Sequence, residues 1–311
     1  MTLASLQSAE WVQIRTDDGR VLESYVAGNE DSFPLLFISG TPSAATPHAR
    51  TLALAAERKL RMIEFSRPGY AGSTPLPGRD VASIAPDAAA VLDALGADTF
   101  VAIGFSGGGP HALACGALLP ERCLAAATVG GVAPYPAEGI DWFAGMAPEN
   151  VDEFRRSIEG EAALVPFLVQ AGAQLADVDA SDITAALGEL LSDVDKEALA
   201  GDFAEWIAES FRRAVSAGIA GWRDDDFAFV KPWGFAFSQI LRPVAVWQGR
   251  QDRMVPFAHG EWLCEHIPSA TAHLLESEGH LSLAHVKLPD VLDDLLGSAG
   301  IANGDASRRH V

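Results

Sequence analysis

A mostly parallel α/β architecture is what this sequence predicts, and three observations carry the prediction. Short runs rich in β-branched and aromatic residues alternate with helix-forming stretches. Several of those runs are continuously apolar rather than alternating, the pattern of strands covered by helices on both faces. An apolar fraction of 49% over 311 residues is enough to fill one large core.

The strand-like runs are Val21 to Ala27, Leu35 to Ser39, Arg61 to Phe65, Thr99 to Phe105, Leu124 to Val129, Val244 to Gln248 and Ala272 to Leu275. Between them, helices are expected over His48 to Arg58, Pro86 to Leu95, His111 to Leu119, Phe257 to Ile267 and Pro289 to Leu296. That repetition is the signature of a doubly wound sheet. The rhythm breaks between about Pro134 and Gln239. There Val151 to Ile158, Ala162 to Leu175, Ile183 to Leu191 and Gly201 to Ala217 favour helix one after another, and strand chemistry resumes only after Arg242-Pro243. The expected organisation is a core of residues 1–133 and 241–300 interrupted by a helical insertion, 134–240, lying as a cap over the sheet's carboxyl edge. Residues 301–311, small and polar, read as a frayed tail.

Forty-two acidic against 22 basic residues give a formal charge of −20, a surface that repels nucleic acid phosphates and anionic membranes. Polyanionic partners are therefore disfavoured, and a small-molecule substrate is expected. The opening residues MTLASLQSAEWVQIRTDDG have neither a basic n-region nor an apolar h-region, and no stretch approaches ~18 uninterrupted apolar residues, so cytoplasmic residence is expected. Three cysteines without a C-x-x-C pair suit a reducing compartment. No H-x-x-x-H or H-E-x-x-H spacing occurs, so neither a metal nor another cofactor is expected.

The chemistry is declared at Thr99 to Pro110, TFVAIGFSGGGP, where an apolar run stops at Gly104-Phe105-Ser106-Gly107-Gly108 and a small-residue helical stretch follows. A serine hydroxyl is a poor nucleophile unless it is lifted clear of the backbone and relieved of its proton. A sharp strand-to-helix turn does the lifting, and glycines two before and two after leave it room. Ser106 is therefore the candidate nucleophile. Among eight histidines, His280 is expected in the loop after the last strand-like run, at the same sheet edge, which makes it the candidate base. Asp252, just past the run Val244 to Gln248, is the candidate for orienting that base. Main-chain N–H groups must hold the oxyanion; Gly107 directly follows the nucleophile, and Thr41 lies in Gly40-Thr41-Pro42, where Pro42 has no N–H to give.

With these residues placed, the chain resembles the α/β-hydrolase superfamily over roughly Val21 to Gly131 and Leu241 to Leu296. The likeness is carried by Ser39-Gly40-Thr41-Pro42, by Ser66-Arg67-Pro68-Gly69-Tyr70-Ala71-Gly72-Ser73, by Gly104-Phe105-Ser106-Gly107-Gly108, and by Gly249-Arg250-Gln251-Asp252 answered by Gly279-His280. Two departures stand out: many relatives have His where this chain has Ser39 and Asp where it has Ser66. A serine nucleophile separates it from the superfamily's haloalkane dehalogenases and epoxide hydrolases, which use aspartate there.

The resemblance implies a serine hydrolase with an esterase-like cap, cleaving a neutral, moderately apolar carboxylic ester through an acyl-enzyme. Its rivals are carbon–carbon bond or lactone hydrolysis on the same triad, and a ligand receptor on a degenerate hydrolase fold. The insertion is rich in aromatic side chains. Trp142 and Phe143, with Phe105 beside the nucleophile, are the candidates for lining a substrate pocket, while most of the remainder are expected to pack the insertion onto the core.

Overall fold

The computed structural model describes residues 9–301. Eight strands form one sheet in the order β1-β2-β4-β3-β5-β6-β7-β8. They are β1 (Glu10–Arg15), β2 (Val21–Ala27), β3 (Phe33–Ile38), β4 (Leu60–Phe65), β5 (Phe100–Phe105), β6 (Cys123–Val129), β7 (Val244–Gly249) and β8 (Ala270–Leu275). The first two are antiparallel to their neighbours, and β3 to β8 run parallel. Every residue of β3, β4, β5 and β7 is buried, which is why these segments read as mostly apolar runs, with Arg61 and Glu64 of β4 and Gln248 of β7 the polar exceptions.

The runs expected to be strands are strands, with ends moved by at most two residues. β1 is the exception, absent from the sequence reading. It is an edge strand whose Ile14 alone is fully buried, so its period-two pattern offers little signal. Helices α1 (Ala49–Glu57), α2 (Ile84–Ala94) and α3 (Gly108–Leu118) cross between the early strands; α10 (Phe257–His266), α11 (His280–Val286) and α12 (Leu288–Ser298) belong to the second part of the core. Between β6 and β7 come α4 (Pro148–Glu159), α5 (Glu161–Leu175), α6 (Ile183–Leu187), α7 (Asp193–Ala198), α8 (Gly201–Val215) and α9 (Ala220–Phe229), without a strand among the described residues. Short α7 and acidic α9 gave no sequence signal.

Two apolar clusters, one on each face of the sheet, form the core. Of the tail expected over 301–311, residues 302–311 lie outside the described residues, and Ile301 itself is buried. No helix among the described residues is long and apolar enough to cross a membrane. The chain turns from β3 to β4 on one side and returns to β5 on the other, so the crevice beyond the carboxyl ends of β3 and β5 is the switch point where α/β sheets bind ligands.

Candidate active site

Ser106 sits at that switch point. It joins β5 to α3 with φ of +53°, a left-handed conformation that costs a non-glycine residue of order 1–3 kcal/mol. Hydrogen bonds on either side hold it there: its N–H donates to the Val129 carbonyl at 2.8 Å, and its carbonyl accepts from Gly109 N–H at 2.8 Å. The flanking glycines are required by close approach. A Cβ on Gly104 would overlap the Gly108 carbonyl, and one on Gly108 would overlap the Ile38 carbonyl of β3. The helix also starts three residues earlier than its side chains suggested, directly behind the serine.

His280 and Asp252 meet at the far side of the same edge. The Gly249–Leu275 pairing ends β7 and β8 together. Beyond it, Arg250 N–H donates to the Leu275 carbonyl at 2.8 Å and Gln251 N–H to the Glu278 carbonyl at 2.9 Å, so the two loops run side by side. His280 Nδ1 then lies 2.7 Å from Asp252 Oδ2. Asp252 is fixed by other donors as well, Met254 and Val255 N–H to Oδ1 at 2.8 Å each and Gln248 Nε2 to Oδ2 at 3.0 Å. An ionised carboxylate can only accept, so it selects the imidazole tautomer with hydrogen on Nδ1 and leaves Nε2 with a lone pair. Burial opposes charging the imidazole, but the Asp252 carboxylate and its hydrogen bond, helped by Asp195, raise the His280 pKa above its ordinary value. The Phe105 ring packs 4.9 Å from the imidazole, centroid to centroid.

One expectation needs correction here. His280 is not in a loop: it is the first residue of α11. The reason is Asp195 of α7, which is buried and accepts the N–H groups of His280, Leu281 and Ser282 at 3.1, 2.7 and 2.9 Å. Those are donors that a helix start leaves orphaned. The insertion therefore supplies the cap that folds the residue after Gly279 into helix.

Thr41 and Gly107 face one another beside Ser106, so closely that a Cβ on Gly107 would collide with Thr41 Oγ1. Behind Thr41 lies a charge network that the sequence did not disclose. Thr41 Oγ1 donates to Asp225 Oδ2 at 2.8 Å. Asp225 of α9 also accepts from Arg67 at 2.6 Å, from the Tyr70 hydroxyl at 2.8 Å and from Arg79. Arg67 in turn donates to the carbonyls of Ser39 and Gly40. All the charged members are buried. Burial alone would raise the Asp225 carboxyl, yet the two guanidiniums hold it well below its ordinary value.

These parts open into one cavity of about 790 Å³, within the usual range for small-molecule sites. Gly40, Thr41, Phe105, Ser106, Gly107 and His280 line its floor, and Phe154, Phe167, Trp206, Phe211, Trp222 and Phe229 of the insertion line its walls. Trp142 and Phe143 do not line it. Trp142 donates to the Ala133 carbonyl at 3.0 Å and packs edge-on against His259 and Phe154, and Phe143 packs beside it; their aromatic surface joins insertion to core.

A sequence profile of the α/β-hydrolase fold matches residues 34–284. A search of curated protein sequences finds no match. Among solved structures, a hydrolase from Pseudomonas aeruginosa is similar at 20% identity and TM-score 0.65, over 94% of this chain and 99% of that one. An α/β-hydrolase fold protein from Nakamurella multipartita is similar at 25% identity and TM-score 0.63, over 94% and 100%. An esterase from Rhodococcus is similar at 19% identity and TM-score 0.64, over 93% and 99%.

Proposed function

Because the chain belongs to the α/β-hydrolase fold family, we propose that it is a serine hydrolase that cleaves carboxylic esters through an acyl-enzyme. The observation that carries this reading is the 2.7 Å contact of His280 Nδ1 with Asp252 at the wall of the cavity that also holds Ser106. The esterase titles of several structural neighbours agree with it.

Ser106 Oγ attacks the ester carbonyl while His280 Nε2 takes its proton, and Asp252 holds the imidazolium that results. The negative charge that develops on the carbonyl oxygen is met by the Thr41 and Gly107 N–H groups, each donor of this kind contributing about 3–4 kcal/mol. His280 gives its proton to the departing alkoxide. Water then enters, loses a proton to the same imidazole and releases the acid. The helical insertion acts as the cap that shapes the acyl or alcohol pocket.

Ser106→Ala is expected to lower kcat for 4-nitrophenyl butyrate by at least about 10⁴, with the purified variant retaining wild-type circular dichroism. Wild-type turnover of that ester with no loss in the variant overturns the assignment. Turnover of a vinylogous diketone in preference to every ester and lactone would move the reaction to carbon–carbon cleavage on the same residues.

A further inference from the structure

The hydrolytic reading leaves one feature of the cavity unused, a pair of carboxyls in its wall. Asp226 of α9 is 1% exposed, Glu153 of α4 lies beside it, and both line the cavity that holds Ser106 and His280. Glu153 accepts the Trp222 indole N–H at 2.7 Å. Asp226 Oδ2 receives no hydrogen bond from any other donor of the described residues. The two carboxyls stand side by side in the cavity wall. Two like charges so close and so buried repel, which favours the state in which the pair keeps one proton.

The surroundings reinforce this state. Burial, with Asp152 adding to it, pushes Glu153 above its ordinary value. Burial, then the charges of Glu153 and Asp225, raises Asp226 well above its ordinary value. Arg79 pulls the other way, but its guanidinium is committed to Asp225 and to the Gly221 carbonyl. Elsewhere on the lining, Glu149 adds a carboxylate, Glu189 is paired with Arg253 at 3.8 Å, and Arg156 is paired with Asp152 at 3.0 Å. The cavity is thus anionic in excess, and Asp226 Oδ2 is an unfilled acceptor in its wall.

We propose that Glu153 and Asp226 bind a protonated amine on the substrate, so that the esters cleaved at Ser106 carry an ammonium group on the part that enters the insertion. For its chemical step this rests on the hydrolase reading; for binding it does not. An ammonium has three N–H donors and no acceptor, the complement of two carboxylates, and the aromatic side chains Trp222 and Phe229 line the same cavity. The charge balances: the ammonium enters, the shared proton leaves to solvent, and the net charge of the site is unchanged.

The geometry also sets the distance. Asp226 stands three residues before Phe229, whose ring would meet a Cβ on Gly107 at 3.0 Å. Side chains so spaced share a helix face with Cβ atoms about 5–6 Å apart, and we take a few methylenes as the link between the ammonium and the acyl carbon.

Calorimetric titration of the full chain with hexylammonium chloride, 1-hexanol and sodium hexanoate tests this without any turnover. Hexylammonium is expected to bind about tenfold or more tightly than either of the others, and buffers of different ionisation enthalpy should report close to one proton released. Glu153→Gln and Asp226→Asn should each remove that preference while 1-hexanol binding is kept, whereas Ser106→Ala should leave hexylammonium binding unchanged. In parallel, kcat/KM for 4-nitrophenyl 6-aminohexanoate should exceed that for 4-nitrophenyl heptanoate in the wild type only.

Absence of hexylammonium binding at millimolar concentration, or hexanol or hexanoate binding as tightly, overturns the proposal. So does a preference that survives in both variants. The wild-type comparison stands even if a variant misfolds. Failure of the Ser106 reading would instead appear as turnover in Ser106→Ala with hexylammonium binding intact.

Discussion

Burial alone would keep the His280 imidazole neutral; Asp252, 2.7 Å from Nδ1, reverses that and raises its pKa. Only neutral imidazole can accept the serine proton, so kcat/KM for a neutral ester should rise with pH through a midpoint above the ordinary histidine value of about 6.5. Asp252→Asn should move that midpoint down and lower kcat by about 10⁴, as the wrong tautomer is no longer excluded. A pH–rate profile of both proteins checks this, and a flat wild-type profile contradicts it. The stability effect has the matching sign. A histidine with a raised folded pKa contributes stability fully below about pH 6.5 and loses it as pH climbs through the raised value.

Ser106, Asp252 and His280 stood out as candidates because each follows closely on the end of an apolar run, Ser106 and His280 with glycine beside them. Asp224, Asp225 and Asp226 were not. In a run of three aspartates nothing tells which way each points until the helix fixes its phase, and at 3.6 residues per turn they diverge toward Arg223, toward the two core guanidiniums and toward the cavity.

Helices α7 and α9 each send one buried aspartate into the core. Asp195 of the first closes the N-terminus of α11, where His280 begins; Asp225 of the second clamps Arg67, Arg79 and Thr41 behind the candidate oxyanion loop. Removing one partner of a buried ion pair strands the other, at a cost of about 3–5 kcal/mol. Asp225→Ala should therefore lower unfolding free energy by about that amount and, by freeing the Thr41 loop, lower kcat. Urea titration measures the first effect, and a change below about 1 kcal/mol would mean the network contributes no net stability. These helices escaped notice in the sequence for a physical reason: α7 is six residues long and α9 carries three aspartates, so their stability comes from ion pairs and caps made only in the folded chain.

The strands, by contrast, were legible almost throughout, since a parallel sheet covered on both faces is written mostly in apolar residues. From their order comes the single crevice beyond β3 and β5 where distant segments converge. What no strand pattern conveys is the lining of the space above it. Phe154, Phe167 and Trp222 reach the cavity while Trp142 and Phe143 are spent on packing, a division decided by helix phase within the insertion.

The most direct measurement of the hydroxyl–imidazole–carboxylate chemistry is reaction of the intact chain with a fluorophosphonate, followed by peptide mass spectrometry. One phosphonyl group per chain on Ser106, with ester turnover lost in proportion and no labelling of His280→Ala at the same rate, is the predicted result. A folded protein that hydrolyses esters yet is labelled at another residue, or not at all, would contradict it.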